Sequence, residues 1–146
     1  MRSRLVLTQK GIEAVGFFAC PGSSTSDSVS FVVDTGSGAS FLGWDDANRL
    51  GIEVSSLRGL AKPVMGFGGS GTDVRHLQEP CFLYFDFEGR KEEVEMPGIL
   101  VYRPAKTKTK HWKVEGSISL LGRDFLEISQ WTLFVDVAKK EFYFEK

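Results

Sequence analysis

The sequence contains few of the residues with which small proteins bind metals or build disulfide frameworks. It has two cysteines and two histidines among 146 residues. Cys20 and Cys81 are too few for a disulfide framework, and we interpret them as small buried thiols in a reducing compartment. Neither His76 nor His111 has ligand spacing with a cysteine or with the other histidine. We therefore predict no metal site and no cofactor.

Long apolar runs and an excess of one charge are missing as well. No window approaches the roughly 18 apolar residues of a membrane span, and Thr8–Lys10 interrupts the first apolar run too early for a secretory signal. The 18 basic and 19 acidic residues leave no excess of positive charge, which argues against electrostatic binding of nucleic acid. The basic cluster Lys106–Lys113 is interpreted as a solvated loop. We expect a soluble, cytoplasmic protein with neither nucleic-acid nor membrane partners.

What the sequence has in quantity is glycine and phenylalanine, with 16 and 12 copies, which suits a β-rich domain with tight turns. Residues 1–146 are predicted to form one domain, because no linker or repeat interrupts them. Short helices are predicted over Asp45–Gly51, with an aspartate as N-cap, and near Asp124, which has capping-box spacing to Glu127. Alternating apolar residues and turn formers predict strands at Arg4–Thr8, Ile12–Cys20, Val29–Val33, Cys81–Phe87, Lys91–Met96, Ile99–Tyr102, Ser117–Leu121, Trp131–Val137 and Glu141–Glu145.

One motif combines an apolar strand with a carboxylate. Phe31–Val33 leads directly into Asp34, which is followed by Thr35-Gly36-Ser37. A carboxylate at the end of a buried strand invites a functional interpretation, because ionisable groups are seldom buried without a purpose or a partner. The tripeptide by itself is equally compatible with an ordinary turn.

Two further features accompany this motif. Lys62–Gly69 and Asp73–Leu77 read as a hairpin with a glycine-rich tip, which could lie over a site as a lid. No lysine follows these glycines as a phosphate-binding loop requires, so phosphate binding is not predicted. Near the end of the sequence, Leu120–Leu126 joins an apolar strand to the predicted helix at Asp124.

In the order and spacing of these three motifs the sequence resembles the retropepsin family of aspartic proteases, from about Ile12 to Phe144. The resemblance implies an all-β fold, namely a closed barrel-like lobe with a flap hairpin and one short helix near the C-terminus. It also implies an aspartic endopeptidase that acts as a homodimer on an extended peptide or protein. Each subunit would supply one Asp34, because no other aspartate is followed by Thr-Gly or Ser-Gly.

The resemblance also assigns roles to individual residues. Asp34 matches the catalytic carboxylate, Thr35 the residue that braces the paired loops, Gly36 the residue that leaves room for substrate, and Ser37 a neighbour of the dyad. The flap and substrate-binding positions are Met65, Gly66, Phe67, Gly68 and Gly69. Arg123 and Asp124 match a structural pair, whereas Val32, Ile118 and Leu120 match pocket positions that could equally belong to the core.

The sequence departs from the viral members of the family at several points. Gly38 stands where many of them have an acidic residue that pairs with the arginine matching Arg123, so that ion pair is absent or Arg123 has another partner. Met65 replaces a flap glycine. The loop from Arg103 to Gly116 and the segment from Phe134 onward are longer, and we expect a different dimer interface.

Three alternatives remain open. The chain could be a non-catalytic peptide-binding or dimerisation module on the same fold, or a structural β domain in which Asp34-Thr35-Gly36 is only a turn. It could also be a zymogen-like form in which the residues before Ile12 are removed by self-cleavage. Cleavage that depends on Asp34 would distinguish an active aspartic endopeptidase from these three alternatives.

Overall fold

The computed structural model describes residues 1–59, 73–103 and 118–146, and strands dominate these ranges. The prediction of an all-β fold is confirmed. None of the helices in the described ranges is long and apolar enough to span a membrane. The elements are β1 (Arg2–Arg4), β2 (Val6–Thr8), β3 (Gly11–Ala19), β4 (Asp27–Val33), β5 (Phe41–Gly43), α1 (Trp44–Arg49), a 3₁₀ turn (Val54–Ser56), β6 (Arg58–Gly59), β7 (Asp73–Leu77), β8 (Cys81–Phe87), β9 (Arg90–Met96), β10 (Ile99–Arg103), β11 (Ser119–Leu121), α2 (Arg123–Ser129), β12 (Thr132–Asp136) and β13 (Glu141–Glu145).

The larger sheet places a late strand between two early ones. Its order is β6-β7-β10-β5-β11-β4-β3-β8-β9, and β2 pairs with β3. β11 is parallel to β4 and antiparallel to β5. All three residues of β11 are buried, as is usual for a strand covered on both faces. β5 is only three residues long and is not predicted from the sequence pattern.

Aromatic side chains pack between the two sheets, and several of them are phenylalanines. Phe85 of β8 contacts Phe125 of α2, Trp131 and Phe144 of β13, with ring centroids 5.5, 5.6 and 5.9 Å apart. The Trp131 and Phe144 rings meet Phe85 edge to face, an arrangement that aromatic quadrupoles favour. Because these rings come from different elements, they form the core between the larger sheet, α2 and the smaller sheet.

The smaller sheet joins the two ends of the chain. Its order is β1-β13-β12, and β1 runs antiparallel to β13 with Arg2 opposite Glu145. The backbone N–H of Lys146 donates to the carbonyl oxygen of Met1 at 3.0 Å. The first and last strands are therefore hydrogen-bonded to each other within one chain.

Both helices lie where they are predicted, but neither begins as predicted. The N-cap of α1 is Gly43, and Asp45 occupies the first turn, where a negative charge favours the helix dipole. The N-cap of α2 is Gly122, with no side-chain cap. Asp124 therefore makes no capping box with Glu127; the backbone N–H of Phe125 and Ser40 bind its carboxylate instead.

Two hairpins of the larger sheet differ in how much of them is described. In the hairpin of β8 and β9 the turn residues Glu88 and Gly89 both have positive φ values, 54° and 87°, as a two-residue type I′ turn requires. In the glycine-rich hairpin β6 pairs antiparallel with β7, with Arg58 opposite His76. The tip of this second hairpin lies outside the described residues.

Candidate active site

Asp34 follows the last residue of β4, and β11 holds its backbone. The N–H of Asp34 donates to the carbonyl oxygen of Leu121 at 2.9 Å, next to the parallel pair of Val33 and Leu121. The Asp34 side chain is half-buried, and the following Thr35 is exposed. The carboxylate thus lies where a buried strand meets a surface loop.

The loop after β4 orients this carboxylate. Asp34 Oδ1 accepts a hydrogen bond from the N–H of Gly36 at 2.8 Å, and the N–H of Ser37 donates to the carbonyl oxygen of Asp34 at 3.1 Å. A Cβ at residue 36 would lie 3.0 Å from Oδ1, which is tight for an alanine. No described residue donates a hydrogen bond to Oδ2, so one oxygen is fixed and the other is available to a ligand.

The start of α2 packs directly against the loop. The N–H of Arg123 donates to the carbonyl oxygen of Ser37 at 2.8 Å, and Ser37 Oγ donates to the carbonyl oxygen of Ala39 at 2.7 Å. A Cβ at Gly122 would lie 2.5 Å from the carbonyl oxygen of Ala39 and 2.8 Å from that of Ser37. Residue 122 must therefore be glycine for the two backbones to approach this closely.

A buried serine connects the same loop to α2. The Ser40 side chain is 1% exposed, and its Oγ donates to Asp124 Oδ1 at 2.6 Å and accepts from the N–H of Gly122 at 2.9 Å. The N–H of Ser40 donates to the second oxygen, Oδ2, at 3.0 Å. Both oxygens of Asp124 are therefore engaged in holding the loop.

Arg123 does not reproduce the ion pair of the viral enzymes. Its side chain is exposed, and within the described ranges it forms no salt bridge. Its Nη2 lies 3.4 Å from the position that a Cβ on Gly38 would occupy. The guanidinium thus covers Gly38, and an acidic side chain at residue 38 would meet it directly.

An apolar row runs across the sheet on the same face as Asp34. Val32 lies two residues before Asp34 in an extended strand and so shares its face. Val32 pairs with Leu120, and Leu120 pairs with Phe41 on the other side. Val32 and Leu120 are 7% and 4% exposed, yet neither belongs to the main core cluster. Val32, Leu120 and Phe41 therefore form an apolar row beside the carboxylate that is separate from the main core cluster.

Ile118 immediately precedes β11 and lies two residues before Leu120. Its side chain is half-buried, and its backbone N–H donates to the Oη of Tyr102 at 2.8 Å. Burial raises the pKa of Tyr102, although this hydrogen bond acts in the opposite direction. Together with Ser28 and Ser30 of β4, Ile118 lines a cavity of about 320 Å³. Because Ser28 and Ser30 alternate with buried residues along β4, they share the face of Val32 and Asp34.

The predicted flap residues Met65, Gly66, Phe67, Gly68 and Gly69 lie outside the described residues. The two described arms of their hairpin, β6 and β7, are part of the larger sheet, and β7 continues through β10 to β5. Arg75 ties the arms to the turn before them by donating to the carbonyl oxygens of Ser55 and Leu57, both at 3.2 Å.

Comparisons with known proteins bear on the fold. No protein-family model matches the chain, and no curated protein matches it. A solved structure of a retropepsin-like aspartic protease from Rickettsia conorii aligns with 99% of this chain and 89% of its own, with a TM-score of 0.55 and 17% sequence identity. This chain has a retropepsin-like fold. The protease of EIAV, solved with the inhibitor HBY-793, is also similar, with a TM-score of 0.41 and 21% identity over 84% of this chain and 91% of its own.

Within this retropepsin-like fold, three residues of the site were not assigned a role from the sequence. No feature of the sequence marks Ser40 or Phe41 as part of the site, because their positions beside Asp34 depend on the pairing of β11 with β5. Gly122 lies within the motif Leu120–Leu126, where its one distinguishing feature in the sequence is that it is a glycine between an apolar strand and a helix. Its close approach to the loop after Asp34 is visible only in three dimensions.

Proposed function

We propose that the chain is an aspartic endopeptidase whose catalytic site is completed by a second copy. The observation that carries this proposal is the carboxylate of Asp34, which lies at the surface end of a buried strand. Its Oδ1 is held by Gly36, and its Oδ2 accepts no hydrogen bond from any described residue. Among the described residues, one oxygen of the carboxylate is held and the other has no donor, which is what a carboxylate that acts on water and substrate needs.

Hydrolysis of a peptide bond by carboxylates requires two of them at one site. One carboxylate takes a proton from the attacking water, while its protonated partner polarises the scissile carbonyl group. Two carboxylates this close share one proton, so their titrations belong to the pair. One chain contains a single Asp-Thr-Gly sequence. A twofold axis beside Asp34 would place the two copies of this residue together.

The surroundings of Asp34 fit such an axis. Thr35 is exposed at the outer end of the loop, where its hydroxyl could brace the loop of the partner. In the terminal sheet, β1 and β13 are already paired within the chain. A dimer could therefore be built around the loops that carry Asp34 without exchange of the terminal strands, which agrees with the expectation of a different interface.

The proposed substrate-binding surface is built on the apolar row of Val32, Leu120 and Phe41. Val32, Leu120 and Phe41 lie on the face of Asp34 and outside the main core cluster, and we assign them to pockets for hydrophobic side chains, with Ile118 beside them. An extended peptide would lie over this face and would bond to the flap by strand addition. The flap would consist of Met65, Gly66, Phe67, Gly68 and Gly69, with Phe67 at its tip.

The proposal is tested by cleavage of an unfolded protein mixture between about pH 3 and 7, the range in which carboxylate pairs titrate. We expect Asp34→Asn to abolish cleavage. Asp86→Asn is the matched control, because Asp86 Oδ1 also accepts from the N–H of a turn glycine, Gly89 at 2.9 Å, in a distant hairpin. Absence of cleavage by the folded wild type would favour the non-catalytic peptide-binding or dimerisation module.

Mixing the two proteins tests the shared site. If subunits exchange freely, adding an equal amount of Asp34→Asn to the wild type converts half of the active subunits into mixed dimers, and activity falls to about one half. Adding Asp86→Asn, whose own activity is measured separately, should cause no such loss. Once subunit exchange is complete, undiminished activity in the first mixture would show that each chain works alone and would refute the shared dyad.

A further inference from the structure

The two cysteines lie opposite each other on neighbouring strands. Both are free and buried, as the sequence analysis predicts. The antiparallel pairing of β3 with β8 runs through Ala19 opposite Phe82, and its next step places Cys20 opposite Cys81. Residues that face each other in this way have Cα atoms about 4.5–5.5 Å apart, which lies within the range that a disulfide spans.

The backbone around Cys20 points away from Cys81. The N–H of Cys20 donates to Ser23 Oγ at 3.3 Å, and its carbonyl oxygen accepts from Ser23 Oγ at 2.8 Å and from the N–H of Ser23 at 3.2 Å. Because both polar groups bond to the following loop, Cys20 and Cys81 form a non-hydrogen-bonded pair, in which side chains are closest.

The two thiols are chemically unequal. The hydrogen bond from Cys81 lowers the pKa of Cys20 to about 7, whereas the same bond and burial raise the pKa of Cys81. Cys20 is 9% exposed, while Cys81 is fully buried and its Sγ lies 3.4 Å from the carbonyl oxygen of Glu79. Cys20 is therefore the thiol that can both ionise and meet a reagent from solvent.

We propose that Cys20 and Cys81 form a redox-active dithiol that a small disulfide, such as oxidised glutathione, converts to a cross-strand disulfide. The Cys20 thiolate attacks one sulfur of oxidised glutathione, which forms a mixed disulfide and releases one glutathione thiolate. Cys81 then attacks the Cys20 sulfur and releases the second glutathione, and the protons of the two cysteines end on the two glutathiones. Two thiols are oxidised and one disulfide is reduced.

This dithiol lies far from Asp34 along the sheet. Phe18 pairs with Asp27 at the first residue of β4, so Cys20 lies near the beginning of that strand. Asp34 follows its last residue, roughly 20 Å away at the usual rise of a strand. The disulfide would close a loop of roughly 60 residues and restrain the unfolded chain. Oxidation would therefore change stability without touching the candidate active site.

The experiment equilibrates the folded protein in a series of glutathione buffers, traps free thiols by alkylation in acid-quenched denatured samples, and measures the intact mass. We expect the loss of two hydrogen atoms and a non-reducing digest that links the peptides of Cys20 and Cys81. We also expect the melting temperature to rise by roughly 5–10 °C. Two alkylated thiols in the most oxidising buffer, or a fall in melting temperature on oxidation, would overturn the inference.

Single variants test the order of the two steps. Cys81→Ser should retain glutathione on Cys20, because no second thiol is present to displace it. Cys20→Ser should stay unmodified, because Cys81 is buried. Modification of Cys81 alone would refute the assignment of Cys20 as the attacking thiol. The wild-type mass measurement decides the disulfide itself even if one variant fails to fold.

Discussion

Gly122→Ala tests the inference that close backbone contact holds the loop of Asp34. The added methyl group would lie 2.5 Å from the carbonyl oxygen of Ala39 and 2.8 Å from that of Ser37, well inside contact distance. Both atoms belong to backbone and cannot rotate away as a side chain could. The loop and the start of α2 would have to separate.

The size of the effect follows from what that separation breaks. Overpacking of this kind costs about 1–3 kcal/mol. The displacement would also weaken the bond from the N–H of Gly122 to Ser40 Oγ, at 2.9 Å, and that from the N–H of Arg123 to Ser37, at 2.8 Å, each worth about 1 kcal/mol. We expect a loss of about 2–4 kcal/mol in the free energy of unfolding, or roughly 6–12 °C in melting temperature for a domain of this size.

Urea denaturation followed by tryptophan fluorescence measures this loss, because Trp131 lies in the aromatic core. The matched control is Gly59→Ala, since a Cβ there would meet nothing within 4 Å. Gly59→Ala should leave the unfolding midpoint within the error of the measurement. A Gly122→Ala protein as stable as the control would refute the argument that the loop and α2 require this contact.

Two other outcomes follow from the contacts of single side chains. Ser40→Ala should cost about 2–3 kcal/mol in urea denaturation, because it leaves the buried N–H of Gly122 without its partner and removes one of the two hydrogen bonds to Asp124 Oδ1; Ser55→Ala, at an exposed serine, should cost nothing measurable, and equal stability of the two variants would contradict the role of Ser40. The rate at which iodoacetamide alkylates Cys20 should rise as the pH increases through about 7, because only the thiolate reacts and the Cys81 hydrogen bond stabilises it. Cys81→Ala should move that midpoint to higher pH, and an unchanged midpoint would show that Cys81 does not lower the pKa of Cys20.

The parts of the fold that could be predicted are those that depend on local sequence. The hairpin of β8 and β9 was predictable because Glu88 and Gly89 form a short polar turn between two alternating apolar segments. The strand that ends at Asp34 was predictable from the apolar residues before it. The helix starts were not, because an aspartate near a helix can bind either its own backbone or a distant group. Asp124 binds Ser40, which lies 84 residues away in sequence.

The candidate site was predictable only in outline. Asp34 and the loop after it could be chosen because a short motif marks them. The neighbours Ser40, Phe41 and Gly122 could not, because their positions depend on β11 pairing between β4 and β5. Likewise, the sequence does not show that Val32 and Leu120 lie beside Asp34 and outside the main core cluster, because this follows from the pairing of β4 with β11; their place in a substrate pocket stays a prediction.

The place of β11 has a consequence for the time at which the site is assembled. β4 and β5 are complete by residue 43, but the strand that lies between them is Ser119–Leu121. Contacts between segments so far apart in sequence carry a large loop-closure cost, and they slow folding. During synthesis the ribosome releases Asp34 long before it releases the strand that bonds its backbone. On the proposed function, the enzyme would therefore stay inert toward its own unfinished chain until β11 is made, since that late strand sets the backbone of Asp34 in place.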